Sequence, residues 1–182
     1  MENFLLQISG LVAVIIAWVF VVTPAICSGI DPKRQTITNA TKKSKRVSFI
    51  ISFGLVFSAI FQSIFALYLI DRFDLSFSNI GILVYLSTNI ATMFLAFFHI
   101  ERHPKLHIFF AIYYFIVSPI SYGLIGSSIS GSSNHLFELS ILMILLYGFG
   151  ELVLLYKYRG GALAEIWPIL LLSIWTMVFT IA

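Results

Sequence analysis

The sequence predicts an all-α fold, an integral membrane bundle of about six transmembrane helices. Three observations carry that expectation. Hydrophobic residues make up 59% of the 182 positions. Charged residues make up 10%, against roughly 25% in an ordinary soluble domain, so there is too little polar side chain for a water-facing shell. The apolar residues also fall into six long runs, each of about 20 residues, which is what a helix rising 1.5 Å per residue needs to cross about 30 Å of hydrocarbon. Backbone groups in lipid need internal partners, which a helix supplies. The residue alternation of barrel strands is absent. Residues 1–182 read as a single domain with no soluble module and no internal repeat.

The first run is Phe4 to Cys27. Met1-Glu2-Asn3 has no basic residue, so the run is expected to be a retained helix rather than a signal peptide, and Pro24 is expected to terminate it. Cys27 is the only cysteine, which excludes an internal disulfide and a multi-cysteine metal cluster. The second run, Val47 to Ile70, follows the longest connection, the polar and basic stretch Ser28 to Arg46. The third is Ile80 to Ile100 and the fourth Leu106 to Ile125. Pro119 should kink the fourth helix, with Ser118 and Ser121 placed to satisfy the freed carbonyl. The fifth and sixth are Leu136 to Tyr156 and Ala162 to Ala182. The links Glu101 to Lys105 and Lys157 to Gly161 are so short that the helices they join must run antiparallel and side by side, with Pro104 and Gly160-Gly161 at the turns. Trp167, Tyr156 and Tyr158 form an aromatic belt at the same face.

Charge sets orientation. Lys33, Arg34, Lys42, Lys43, Lys45, Arg46, Arg102, Lys105, Lys157 and Arg159 all fall in loops 28–46, 101–105 and 157–161, and Arg72 alone falls on the other side. The positive-inside rule puts those three loops in the cytoplasm and both termini outside, with the cell membrane the expected location. The sequon Asn39-Ala40-Thr41 would then be cytoplasmic. Lys42, Lys43, Lys45 and Arg46 stand immediately before the second run, where each can attract an anionic lipid headgroup. No basic face interleaved with aromatics suggests nucleic acid.

Polar residues inside the apolar runs are the candidate sites, because lipid makes them expensive. Glu151 lies about five residues, roughly 7 Å, inside the fifth run, with Tyr147 one turn earlier on the same face. A lone carboxylate there should be protonated, paired or turned to a polar cavity. Gln62 and Asn89 lie near mid-membrane, suited to joining helices or to contacting a ligand. His99, Glu101, His103 and His107 gather between the third and fourth runs, and Glu151 and Glu165 belong to the same face. Of these, His103, His107 and Glu165 suit a metal by ligand type. Pro104 separates the two histidines, however, and no His-Glu-x-x-His string is present, so no metal or other cofactor is expected. Nucleophile elbows and Gly-rich phosphate loops are also missing.

Three stretches carry a resemblance. Asp31-Pro32-Lys33-Arg34-Gln35-Thr36-Ile37-Thr38 is similar to an Asp-Pro-x-Arg-Gln-Thr-Ile-Ser pattern. Leu106-His107 with Phe115-Ile116-Val117-Ser118-Pro119-Ile120-Ser121 is similar to a Leu-His segment followed by a Pro-Ile-Ser helix, and Gly161-Ala162-Leu163-Ala164-Glu165 leads into Leu172-Ser173-Ile174-Trp175. In these the chain resembles the membrane family called domain of unknown function 998. The resemblance implies a six-helix bundle and brings no activity. It also implies cytoplasmic termini, opposite to what the charges predict, and Asn39-Ala40-Thr41-Lys42-Lys43 stands where the family has Ser-Glu-Leu.

With buried polar groups and no reaction motif, the leading expectation is a non-enzymatic membrane protein that binds a lipid or small ligand or serves as an accessory subunit. Membrane lipids, a protein partner or a second copy are its expected partners. The alternatives are a small proton-coupled transporter and a membrane-embedded hydrolase or transferase using the His/Glu group.

Overall fold

The computed structural model describes residues 2–158 and 161–182. Arg159 and Gly160, assigned above to the last charged loop and its turn, lie outside the described residues, as does Met1. Every regular element among the described residues is a helix, and there is no strand. In chain order they form α1 (Glu2–Ile16), a π-helical turn (Ala17–Val22), α2 (Thr23–Cys27), α3 (Ile37–Lys43), α4 (Lys45–Arg72), α5 (Ile80–Phe97), α6 (Pro104–Ser128), α7 (Asn134–Tyr158) and α8 (Ala162–Ile181). Six spans are long and apolar enough to cross a membrane: Phe4–Cys27, α4, α5, α6, α7 and α8.

Each long helix packs on its neighbour in sequence, as short connections dictate, and α8 returns to pack on α1, so the six form a closed ring. Polar bonds pin the closure. The Gln7 amide donates to the Thr180 carbonyl (2.7 Å) and the Trp18 indole N–H to Ser173 Oγ (3.0 Å), while the Arg72 guanidinium of α4 holds the end of α8 through the Ala182 carbonyl (2.5 Å). The hub is Trp175 of α8, fully buried among Phe65, Tyr85, Tyr122 and Phe179. The surface is apolar, as a lipid-facing surface must be. α7 buries one stripe, Leu136, Ser140, Met143 and Tyr147, and turns Leu142, Leu145, Phe149 and Leu152 outward. α5 and α6 approach closely at Gly81, where a Cβ would lie 2.7 Å from the Ile125 nitrogen. Small residues at such crossings let backbones meet, which is a main source of association in lipid.

Three local expectations need correction. Pro24 does not terminate the first helix, which continues to Cys27. A proline lacks the N–H that Phe20 would otherwise receive, and the turn before it widens so that the Thr23 N–H reaches back to the Trp18 carbonyl. Ser118 and Ser121 do not serve a carbonyl freed by Pro119. Ser118 shares a hydrogen bond with the Tyr122 hydroxyl (2.7 Å) and Ser121 donates to the Ser118 carbonyl (2.6 Å), while α6 runs through the proline without a break. The connection 28–46 also holds a helix, α3. Thr36 and Asn39 cap it reciprocally: the Asn39 N–H donates to Thr36 Oγ1 (3.2 Å) and the Thr36 N–H to Asn39 Oδ1 (2.9 Å).

Candidate functional site

The segment that contains α3 folds back onto the start of α8. The Ala162 and Leu163 N–H groups, which have no partner within their own helix, donate to the Gln35 (2.7 Å) and Pro32 (3.1 Å) carbonyls. In return the Ile37 N–H donates to the Glu165 carboxylate. One residue further along α3, Thr38 Oγ1 meets His107 Nε2 at 3.3 Å. His107 Nδ1 lies 2.8 Å from the Phe98 carbonyl, which can only accept. Nδ1 therefore carries the ring hydrogen, leaving Nε2 to accept from the Thr38 hydroxyl.

Beneath this roof is a cavity of about 140 Å³. The π-helical turn, α3, α4, α5, α6 and α8 all contribute to it. Its polar lining is Thr38, Ser58, Gln62, Asn89, Thr92, His107, Tyr114 and Glu165, and Val21, Leu55, Leu95, Phe115, Ile169 and Leu172 supply most of its apolar wall. The polar groups run from the α3 end down to the middle of the long helices. Gln62 is held at both ends: the Tyr85 hydroxyl donates to its carbonyl and its amide N–H reaches Thr176 Oγ1 (3.4 Å). That ties α4, α5 and α8 together. Asn89 donates one N–H to Ser63 Oγ (3.3 Å) and has a second free to serve the cavity. A second, outward-opening crevice of about 210 Å³ between α5 and α6 has the Ser87–Tyr113 hydroxyl pair (2.8 Å) as its polar feature.

Four residues that the sequence divided between a ligand group and a metal group, Gln62, Asn89, His107 and Glu165, thus surround one cavity. His103 stands apart. It is the exposed N-cap of α6, its ring edge-on to Phe98. Among the described residues no three His, Cys, Asp or Glu side chains converge as metal ligands. Glu151 and Tyr147 lie on α7, which contributes nothing to the cavity lining. Glu151 Oε2 and the Tyr147 hydroxyl are buried with no hydrogen-bond partner among the described residues. Lys43 bonds the carbonyls of Ser28 (3.0 Å) and Gly29 (2.7 Å), while Lys42, Lys45 and Arg46 are exposed at the same end. Sequence reasoning missed Thr38, Ser58 and Tyr114 as lining residues. Thr38 does fall in the Asp31–Thr38 stretch singled out for its resemblance, but nothing local marks the other two.

Fold and cavity together define a class: an all-α chain of six helices fit to span a membrane, with a polar-ended cavity under a short capping helix. No protein-family model matches the chain, and no curated protein or solved structure is significantly similar to it.

Proposed function

We propose that this chain is a multi-pass protein of the cell membrane that binds a small ligand in the cavity beneath α3 and catalyses no reaction of its own. The observation that supports this reading is the enclosure of His107, Glu165 and Asn89 around one space of about 140 Å³ with apolar walls. Its size suits the ligand class. A cavity near 150 Å³ holds a molecule the size of benzene, whereas drug-sized ligands need about 300–1,000 Å³. Glu165 and Asn89 keep lone pairs and an N–H beyond their bonds to Ile37 and Ser63, and polar capacity left unused at membrane depth is costly, so a ligand that uses it gives it a role. The likeness to the domain of unknown function 998 family fits the architecture and adds no activity.

Native mass spectrometry of the protein released from nanodiscs tests the reading. The wild type is expected to retain a small molecule. Ala111→Phe, which pushes a ring into the cavity, should release it, and Glu151→Gln, remote from the lining, should not. A bare wild type, or an occupant indifferent to Ala111→Phe, would sink the proposal.

The charge distribution supports a cytoplasmic α3 end, with the first residues of α1 and the last of α8 outside. In a Cys27→Ser background, a membrane-impermeant maleimide applied to intact cells should label Ser132→Cys and spare Lys105→Cys. The reverse pattern would invert the topology and favour the orientation implied by the family resemblance.

A further inference from the structure

We infer that the cavity beneath α3 takes a small organic cation, an ammonium group held at Glu165 with an apolar body of a few carbons against the wall. This rests on the reading of that cavity as a ligand site and specifies what the site accepts.

The argument is an inventory of hydrogens. At the α3 end the donors are committed elsewhere. The Thr38 hydroxyl faces His107 Nε2, His107 Nδ1 serves the Phe98 carbonyl, and Glu165 can only accept as a carboxylate. Further along, Ser58 donates to the Ala13 carbonyl (3.1 Å) and Thr92 to the Thr88 carbonyl (3.0 Å), so both turn lone pairs to the space. The donors that remain are deeper: one N–H each on Gln62 and Asn89, and the Tyr114 phenol, which shares a hydrogen bond with Ser118. Tyr114 lies about 10 Å from His107 by the rise of α6. With Glu165 ionised, a polar head at the α3 end meets acceptors only and must itself donate.

Charge sharpens this from donor to cation. The ion pairs Arg34–Asp31 and His135–Glu138 lie on exposed side chains, and neither involves Glu165. Glu165 stands in the first turn of α8, where the helix dipole favours negative charge, and it receives the Ile37 N–H. Inside low-dielectric walls a carboxylate attracts a cation strongly, and a charge-assisted bond is about twice as strong as a neutral one. The basic loops at this end would favour an anion, but their described Lys and Arg side chains, residues 33 to 157, are solvent-exposed and screened over roughly 8 Å at physiological ionic strength. An anion that entered would meet Glu165 directly. Tyr114 and Phe115 line the cavity as well, and aromatic faces accept ammonium groups.

The test is isothermal titration calorimetry of the full chain in phosphatidylcholine nanodiscs, corrected against empty discs. Three probes of one carbon skeleton are used: n-butylammonium, n-butanol and butyrate. Saturable binding is expected in that order of affinity. Glu165→Gln keeps a carbonyl for the Ile37 N–H and should weaken n-butylammonium by about tenfold or more, the scale of one charge-assisted bond, while leaving n-butanol within about twofold. Ala111→Phe should remove binding of both. Equal binding of the alcohol and the ammonium, stronger binding of butyrate, or a cation preference that survives Glu165→Gln would overturn the cation assignment. If no probe binds while native mass spectrometry still shows an occupant displaced by Ala111→Phe, the cation assignment falls and the ligand site stands. If that occupant is absent too, both fall.

Discussion

Trp175→Ala is expected to destabilise the bundle by about 3 kcal/mol, toward the lower end of the range for removing a large buried aromatic. The full range includes a transfer term for moving apolar surface out of water. In a membrane that term shrinks, because lipid chains are as apolar as the core they replace. What remains is lost packing, and Trp175 has much to lose. Its ring lies 4.2 Å from Phe179, 5.0 Å from Tyr122, 5.9 Å from Tyr85 and 6.5 Å from Phe65, centroid to centroid. Its N–H donates to Ser140 Oγ at 3.1 Å. One side chain of α8 thus touches α4, α5, α6 and α7, and truncating it opens a void no single neighbour can fill. Trp175→Phe should cost nearer 1 kcal/mol, because a ring remains and the Ser140 hydroxyl still donates to the Leu136 carbonyl. Reversible unfolding in mixed micelles of dodecyl maltoside and dodecyl sulfate measures both. A loss below about 1 kcal/mol for the alanine variant would mean that the ring of helices does not close on Trp175.

The six spans were legible because lipid imposes a length and a composition at once. α4 is Lys45–Arg72 where Val47 to Ile70 was expected, and α8 is Ala162–Ile181 where Ala162 to Ala182 was expected. The order of packing beyond nearest neighbours was not legible. A soluble helix betrays its buried face by periodicity, but in α4, α6 and α7 both faces are apolar, one to protein and one to lipid. The candidate site shows the same divide. Gln62 and Asn89 stood out as polar residues in apolar surroundings, and His107 and Glu165 as metal-type ligands at one membrane face. That they share one cavity depends on which helices are neighbours, which no single helix encodes. Glu151 drew attention for its depth and proved to lie on α7, outside the lining. The helix α3 was hidden by composition, since Thr, Asn and Lys in a polar stretch read as loop. Its signal was the pair Thr36 and Asn39, a capping box with Asn where Glu or Gln is usual.

Gly161→Ala is expected to undo the roof of the cavity. The backbone of Gly161, φ −66° and ψ 171°, is one any residue can adopt, so the requirement is for space alone. A Cβ there would lie 2.6 Å from the Pro32 carbonyl oxygen and from the carbonyl carbon of Lys33. Both are main-chain atoms, and neither can rotate away as a side-chain tip would. Segment 31–37 is held against α8 by the Ala162 and Leu163 N–H groups and by the Ile37–Glu165 bond, so a methyl at Gly161 must push that segment off. The helix then loses partners for two of its first amides, and Glu165 loses its donor. At about 1 kcal/mol for each bond, the loss is about 3 kcal/mol, less whatever water restores at this end of the membrane. The functional effect should exceed the energetic one, because Ile37 and Thr38 are part of the cavity wall. In a Cys27→Ser background, Thr38→Cys is expected to react slowly with a maleimide in the otherwise native chain and at least about tenfold faster with Gly161→Ala, as a loss of roughly 1.4 kcal/mol or more from closure requires. Bound ligand should be lost in parallel. Gly148→Ala is the control: Gly148 lies within α7 and nothing lies within 4 Å of the place its methyl would take, so the change should stabilise slightly and leave Thr38→Cys protected. Equal reactivity in both backgrounds would show that α3 opens freely without the docking, and that the contacts at Gly161 do not govern access to the cavity.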